Sequence, residues 1–208
     1  VIGLSELLVE RYDTYDSKKI KDFILQINKF SNNAFNLLEN LLQWAKSQTG
    51  RIKVNPQQID LYELANENIN LFRAGAIKKG ITLLSTVESG AYAYADRNMI
   101  TAIIRNLVSN AIKFTNKGDK ITLNAYQKAD LVYFTVTDTG IGIPAENLKK
   151  LFVIEENVST QGTEDEEGTG LGLIICKEFI EKNGGSIWVE SALNTGSKFT
   201  FSVPAISK

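Results

Sequence analysis

Two glycine-rich stretches constrain this sequence more than any other feature. The first, from Asp138 to Pro144, reads Asp-Thr-Gly-Ile-Gly-Ile-Pro and directly follows an alternating apolar segment. The second, from Gly168 to Leu173, reads Gly-Thr-Gly-Leu-Gly-Leu and opens a segment of helical periodicity. Glycines at alternate positions let the backbone adopt positive φ and approach a ligand closely, which leaves N–H groups free to meet phosphate oxygens. Each stretch alone is more typical of an ordinary turn, so only their combination with a third element favours a nucleotide site.

The third element is a helix predicted to begin after Asp96, which carries polar residues on an otherwise apolar pattern. Asn106, Asn110 and Lys113 recur at i, i+4 and i+7, so they share one face of the helix. Asparagine costs up to about 0.7 kcal/mol relative to alanine inside a helix, so two of them here require a reason. A common ligand site is one reason, and an ordinary solvated helix face is the alternative.

The second half of the chain alternates between strand and helix signals. Residues 121–126 and 131–137 alternate as two strands, and the second delivers Asp138 to its end, where α/β folds commonly place ligand groups. Further predicted elements are an edge strand or linker at Ile52, Val54 and Pro56, a helix between Asp60 and Gly80, strands at 81–87 and 91–94, a helix at 170–182, and closing strands at 187–190 and 198–203.

The residues between the two glycine stretches carry weaker signals. Pro144 is well placed at the start of a short helix that runs to about Leu151, because its missing N–H would be unpaired there anyway. From Phe152 to Glu167 periodicity fails, and polar and acidic residues dominate. This composition predicts a mobile lid, with an ordinary surface loop as the alternative.

The first fifty residues show a different, longer helical pattern. After residues 1–9, which indicate the last turns of a helix without a capping residue, apolar residues recur at spacings of three and four from Ile20 to Trp44. This pattern predicts a bundle seam that a homodimer would complete, with a long helix packing on its own domain as the alternative. We therefore expect a helical hairpin over residues 1–50 and a second domain over residues 51–208.

Composition excludes several classes of function. The 23 Lys and Arg residues against 24 Asp and Glu residues give a net charge of −1, which favours neither a nucleic-acid partner nor an anionic membrane surface. No apolar run approaches the roughly 20 residues that cross a bilayer. The single cysteine, Cys176, lies in an apolar helical pattern and fits a reducing compartment. The absence of histidine excludes imidazole catalysis. We expect a soluble cytoplasmic fragment that contacts neither nucleic acid nor membrane.

Four motifs, in order along the chain, resemble those of sensor histidine kinases. Residues 106–115 resemble the N box, residues 138–143 the G1 box, Leu151-Phe152 the F box and residues 168–173 the G2 box. Residues 194–201 resemble the closing strand of the same catalytic domain. The resemblance spans roughly residues 50 to 205, and the preceding residues resemble the remainder of a dimerisation and phosphoacceptor domain. It implies an α+β fold, a two-layer α/β sandwich (the Bergerat ATP-binding fold) with three helices on a mixed sheet, preceded by a helical hairpin.

The resemblance also implies ATP and Mg²⁺ as cofactors and a role for individual residues. Asp138 would accept a hydrogen bond from the adenine amino group, Asn110 would hold Mg²⁺ through its amide oxygen, and Lys113 would meet phosphate charge. Phe114, where the family usually has tyrosine, would line the pocket, and Thr200 would reach adenine through a water. The expected cofactor-binding residues are Asn106, Asn110, Lys113, Phe114, Asp138, Gly140, Gly142, Ile143, Phe152, Gly168, Thr169, Gly170, Leu171, Gly172 and Thr200, with Asn110 as the metal ligand.

The activity implied is that of a protein-histidine kinase, which passes the γ-phosphoryl group of ATP to a histidine and then to an aspartate of a response-regulator receiver domain. The phosphoacceptor histidine would lie before Val1, so we expect this fragment to bind ATP without completing autophosphorylation, and its homodimer to be weakened. A parent anchored in the inner membrane of a bacterium is compatible with the resemblance. The alternatives are an ATPase of the gyrase, heat-shock-protein and mismatch-repair type, which carries glutamate where this chain has Asn106, and a non-catalytic nucleotide-binding dimerisation module.

Overall fold

The computed structural model describes residues 2–48, 53–153, 162–164, 166 and 170–206. The chain divides into two compact units, Val1–Thr49 and Gly50–Lys208. The first unit contains helix α1 (Ile2–Arg11) and helix α2 (Ser17–Gln48), joined by a short 3₁₀ turn, so the expected helical hairpin is present. Along α2, large apolar side chains are exposed in this single chain, among them Ile24 and Leu38.

The second unit is built on a mixed β-sheet covered by helices. Within the described residues, five strands form this sheet in the order β2-β4-β5-β7-β6, with β2 and β4 parallel and the other pairs antiparallel. Strands β1 and β3 form a separate antiparallel pair. The elements are β1 (Pro56–Asp60), α3 (Leu61–Lys79), β2 (Thr82–Ser85), β3 (Tyr92–Asp96), α4 (Arg97–Phe114), β4 (Lys120–Lys128), β5 (Leu131–Asp138), α5 (Ala145–Leu148), α6 (Gly172–Lys182), β6 (Ser186–Ala192) and β7 (Gly196–Pro204).

The core lies between the sheet and helices α3, α4 and α6. Phe134 of β5 and Phe201 of β7 are paired in the sheet register and stack with ring centroids 5.4 Å apart. The apolar face of α4 is buried from Met99 to Ala111, and this leaves its polar face turned away from the core. Because aromatic and branched side chains of both layers are removed from water together, the layers hold each other in place. The expected α+β sandwich with a mixed sheet is confirmed.

Local capping signals correctly located the helix ends. The Asp60 carboxylate accepts hydrogen bonds from the N–H groups of Tyr62 and Glu63, at 2.9 and 3.2 Å, and begins α3. Gly80 ends the same helix in the left-handed region, with φ at 71°. Asp96 caps α4 in the same way as Asp60 caps α3. These contacts depend only on neighbours in sequence, which explains why they could be predicted.

Several element boundaries differ from the expected ones. Of the expected edge strand or linker, Ile52 lies outside the described residues, Val54 precedes the strand, and β1 begins at Pro56. The pairing with β3 starts there, and a proline without an N–H is tolerated at the first residue of an edge strand. Helix α5 ends at Leu148 rather than near Leu151, because tight turns replace it, such as the hydrogen bond from Lys150 N–H to the Asn147 carbonyl. In the ranges that the structure describes, no helix is both long and apolar enough to cross a bilayer.

Candidate functional site

The site is organised around a buried carboxylate at the end of β5. Asp138 is 5% exposed, and its Oδ1 accepts hydrogen bonds from the N–H of Gly140 at 2.9 Å and the N–H of Ser197 at 3.2 Å. Among the described residues, none donates to the second oxygen, Oδ2. Burial raises the pKa of Asp138 above its ordinary value of 3.8 and outweighs the two backbone hydrogen bonds, which lower it. One oxygen thus anchors the side chain, and the other is available as an acceptor.

The loop after Asp138 packs directly on two other backbones. A Cβ added to Gly140 would lie 2.1 Å from the Phe114 carbonyl oxygen, which also accepts a hydrogen bond from Ile141 N–H at 3.1 Å. Gly142 has φ at 70°, and a Cβ there would lie 1.9 Å from the carbonyl oxygen of Ala192. Only glycine fits at either position, so the loop is held between the end of α4 and the end of β6.

The polar face of α4 meets the beginning of α6. Asn106, Asn110 and Lys113 are half-buried, and the Asn106 Oδ1 lies 2.9 Å from the position that a Cβ on Gly172 would occupy. Gly170 has φ at 71°, and Leu171 is the N-cap residue of α6. The N-terminus of α6 therefore lies beside Asn106, and the N–H groups and helix dipole at a helix N-terminus favour an anion.

A described part of the connection between the glycine stretches is attached to the end of α4. The N–H of Thr163 donates to the Lys113 carbonyl at 3.0 Å, and its hydroxyl lies within hydrogen-bonding distance of the carbonyls of Lys113 and Thr115. Lys79 donates to the Glu166 carboxylate at 2.7 Å. Burial would raise the pKa of Glu166, but the hydrogen bonds from Lys79 and from backbone N–H groups lower it below its ordinary value. The sequence alone does not indicate Lys79, because a lysine in the last turn of a helix resembles a solvent-exposed one.

The register of β7 places Ser197, and not Thr200, beside Asp138. Thr135 pairs with Thr200 and Thr137 with Lys198, so the next position opposite Asp138 is Ser197. Side chains of a strand alternate between faces, which puts Thr200 on the opposite face from Asp138. The Thr200 hydroxyl is buried and has no hydrogen-bond partner among the described residues. Ser197, which was not among the expected site residues, is the β7 residue beside Asp138, and only the pairing of β7 with β5 indicates it.

Comparison with known proteins places this arrangement in a family. Residues 95–207 match the family model described as "Histidine kinase-, DNA gyrase B-, and HSP90-like ATPase". The chain belongs to this family of ATPase-like domains. The match begins just before α4 and ends after β7, so it includes the buried carboxylate, the glycine loop and the polar face of α4.

The relatives of this ATPase-like domain are sensor kinases. The adaptive-response sensory kinase SasA of Crocosphaera subtropica is 34% identical over 170 residues, which make up 81% of this chain and 44% of SasA. The solved catalytic domain of histidine kinase ThkA is 33% identical, with a TM-score of 0.64, and the match covers 73% of this chain and 96% of that domain. The structure of ThkA in complex with the response regulator protein TrrA shares the fold at 24% identity and a TM-score of 0.76, covering 98% of this chain and 57% of ThkA.

The matches cover only part of the length of the sensory kinase SasA. The chain spans less than half the length of SasA. Residues 95–207 belong to an ATP-binding catalytic region of the sensor histidine kinase type. The structure brings together Asp138, Gly140, Gly142 and Ile143 in one loop, and sets Phe152 half-buried after α5. Gly168 and Thr169, also expected at the site, lie outside the described residues.

Proposed function

We propose that this chain binds ATP and Mg²⁺ as the catalytic part of a two-component sensor kinase, which passes the γ-phosphoryl group to a histidine. The observation that carries the proposal is the Asp138 carboxylate, buried at a strand end, anchored by one oxygen and facing the site with the other. An ionised carboxylate only accepts hydrogen bonds, so Oδ2 suits an amino group such as that of adenine. Phe114, half-buried at the end of α4, lines the same side.

The phosphates belong at the other end of the site, beside α4 and α6. The N-terminal N–H groups of α6 receive phosphate oxygens, with Gly170 and Gly172 allowing their close approach. Lys113 supplies positive charge between the two ends of the site, because its ammonium lies 4.7 Å from the centroid of the Phe114 ring.

Magnesium would be held by Asn110 together with the phosphates. Within the described ranges, no group of three Cys, Asp or Glu residues is placed to hold a metal ion. Mg²⁺ commonly keeps several waters and binds through one or two protein oxygens plus substrate phosphates. The Asn110 amide oxygen fits that ligand set, since Asn110 is half-buried on the polar face of α4.

Phosphoryl transfer is favoured over hydrolysis by the residue one helical turn before Asn110. That residue is Asn106, whose amide cannot act as a general base toward water near neutral pH. The chain contains no histidine, so the phosphoacceptor must come from outside these residues. A response-regulator receiver domain is the proposed next acceptor, supported by the solved complex of ThkA with TrrA.

Helix α2 supports a homodimer. Its exposed apolar residues include Ile24, Leu25, Phe35, Leu38 and Leu42. Apolar surface of this extent along one helix is stabilised when a second copy covers it. Sedimentation of the purified chain at several concentrations tests this part of the proposal, and a monomer at every concentration would refute it.

Calorimetric titration with a non-hydrolysable ATP analogue, with and without Mg²⁺, tests nucleotide binding directly. We expect one saturable site whose affinity rises with Mg²⁺. A chain that is folded by circular dichroism and shows no binding would overturn the proposal. Steady release of phosphate from ATP under the same conditions would instead favour the gyrase-like ATPase alternative.

A further inference from the structure

The hydroxyl of Ser191, on β6, makes three contacts that join the glycine loop to β7. Its Oγ lies 2.9 Å from the N–H nitrogen of Ile143, 2.8 Å from the carbonyl oxygen of Gly196 and 3.0 Å from the Oγ of Ser197. Ser191 pairs with Ser197 in the register between β6 and β7, so both side chains lie on the face that carries Asp138.

The three contacts determine the direction of each hydrogen bond. A serine hydroxyl has one proton and two lone pairs. The Gly196 carbonyl can only accept, so it takes the Ser191 proton, and the Ile143 N–H can only donate, so it occupies one lone pair. The remaining lone pair of Ser191 must therefore receive the proton of Ser197. All hydrogen-bonding capacity of Ser191 is then used.

We propose that Ser191 is a positioning residue that makes the base-binding end of the site an acceptor-only surface. With its proton held by Ser191, the Ser197 hydroxyl presents only lone pairs toward the site. The backbone N–H of Ser197 is already bonded to Asp138 Oδ1, which leaves Oδ2 as the second acceptor. Two neighbouring acceptors match a base that carries an amino group and repel one that carries a carbonyl oxygen at the same position.

This inference rests on the proposed nucleotide function and adds a source of base selectivity to it. Without the Ser191 hydroxyl, Ser197 can rotate and donate its proton to a carbonyl oxygen. A base with a carbonyl oxygen would then lose less affinity relative to a base with an amino group, even though Asp138 is unchanged. A residue that acts only through the fold would instead weaken binding of both bases equally.

The test compares ADP with IDP, which carry an amino group and a carbonyl oxygen at the same ring position. Calorimetric affinities of the full chain with Mg²⁺ give the ratio of ADP binding to IDP binding. We expect Ser191→Ala to lower this ratio about tenfold and Ser191→Thr, which keeps a hydroxyl, to restore it. Ser186→Ala is the matched control, because Ser186 is an exposed serine on the other face of the same strand.

The results of these titrations either support or contradict the positioning role of Ser191. An unchanged ratio in a folded Ser191→Ala variant, or equal weakening of both nucleotides, would overturn the positioning role. Ser197→Ala tests the same point if Ser191→Ala does not fold: we expect the same lowered ratio, and an unchanged one would overturn the inference. If the wild-type chain binds neither nucleotide, it is the proposed function that fails rather than the role of Ser191.

Discussion

Lys79 and Glu166, 87 residues apart in sequence, form an ion pair with 2.7 Å between Nζ and Oε1. The lysine side chain is 6% exposed, and Nζ also donates to the carbonyls of Ile112 and Lys113 at 2.8 and 3.0 Å. Those carbonyls belong to the last turn of α4, the negative end of the helix dipole. One buried ammonium thus joins the end of α3, the end of the ligand-bearing helix α4 and the connection to the second glycine stretch.

Replacing the buried lysine tests the strength of this junction. Lys79→Met keeps the volume but removes the ammonium from three acceptors, of which, in the part of the chain that the structure describes, only the Lys113 carbonyl keeps another donor, the N–H of Thr163. We therefore expect the free energy of unfolding to fall by about 2–4 kcal/mol. Glu166→Gln keeps a hydrogen-bonding group, and we expect a loss of about 1 kcal/mol or less because Glu166 is partly exposed. Denaturant unfolding followed by circular dichroism measures both.

The control for Lys79 is a lysine in a weak surface pair. Lys177 lies 4.0 Å from Glu181, and both side chains are exposed, so Lys177→Met should change stability by less than about 0.5 kcal/mol. If Lys79→Met and Lys177→Met lowered the free energy of unfolding equally, the buried contacts of Lys79 would stabilise the protein no more than a surface ion pair does.

The Asp138→Asn variant should affect the stability of the fold and the binding of nucleotide differently. The pKa of Asp138 is raised in the folded state, so the native state holds the proton more tightly than the unfolded state. Stability therefore falls as pH rises from the ordinary value of 3.8 through the raised pKa, and the whole cost of the charge is present above that raised pKa. We expect the asparagine variant to be at least as stable as the wild type at pH 7, with the difference vanishing in acid.

The same variant should bind nucleotide poorly. Asparagine can keep the anchoring acceptor at Oδ1 but then presents an NH₂ donor in place of Oδ2, and this group cannot accept from an amino group. We therefore expect affinity for an ATP analogue to fall about tenfold or more. Asp130→Asn, in the exposed turn between β4 and β5, is the control. A variant at Asp138 that is destabilised at pH 7 while binding normally would contradict both expectations.

Gly140→Ala tests the close approach of the glycine loop to α4. The added Cβ would meet backbone atoms of Phe114 and Thr115, which cannot move aside as a side chain can. We expect a loss of about 2–4 kcal/mol in unfolding free energy, together with weakened nucleotide binding. Gly75→Ala, at an exposed position of α3 with nothing within 4 Å, should instead stabilise by up to about 1 kcal/mol. Thermal melts of the two variants at equal concentration compare them directly.

Asn110→Ala tests the proposed metal ligand. Alanine favours a helix more than asparagine does, so stability should stay equal or rise by about 0.5 kcal/mol. We expect the gain in ATP-analogue affinity on adding Mg²⁺ to disappear, while binding without the metal stays within about twofold. Ser109→Ala, at the exposed neighbouring position, should retain the full Mg²⁺ effect in the same titrations. A normal Mg²⁺ response in the Asn110 variant would assign the metal to other ligands.

Features that depend on neighbouring residues were predicted well. The Asp60 and Asp96 caps and the left-handed Gly80 follow from contacts within a few residues. Alternation of apolar residues likewise located β4 and β5, because one face of each strand must be buried. The four ordered motifs then predicted the family, which the match over residues 95–207 confirms.

Features that depend on register and long-range packing were decided only by the tertiary structure. Thr200 and Ser197 are three positions apart on one strand, and only the pairing with β5 shows that Ser197 shares a face with Asp138. A shift of one residue would reverse that choice, since strand side chains alternate. The contacts of Ser191 and of Lys79 likewise join residues far apart in sequence. Local chemistry determined the elements and the loop that carries the site, whereas burial of the sheet against its helices decided which hydroxyls and charges meet there.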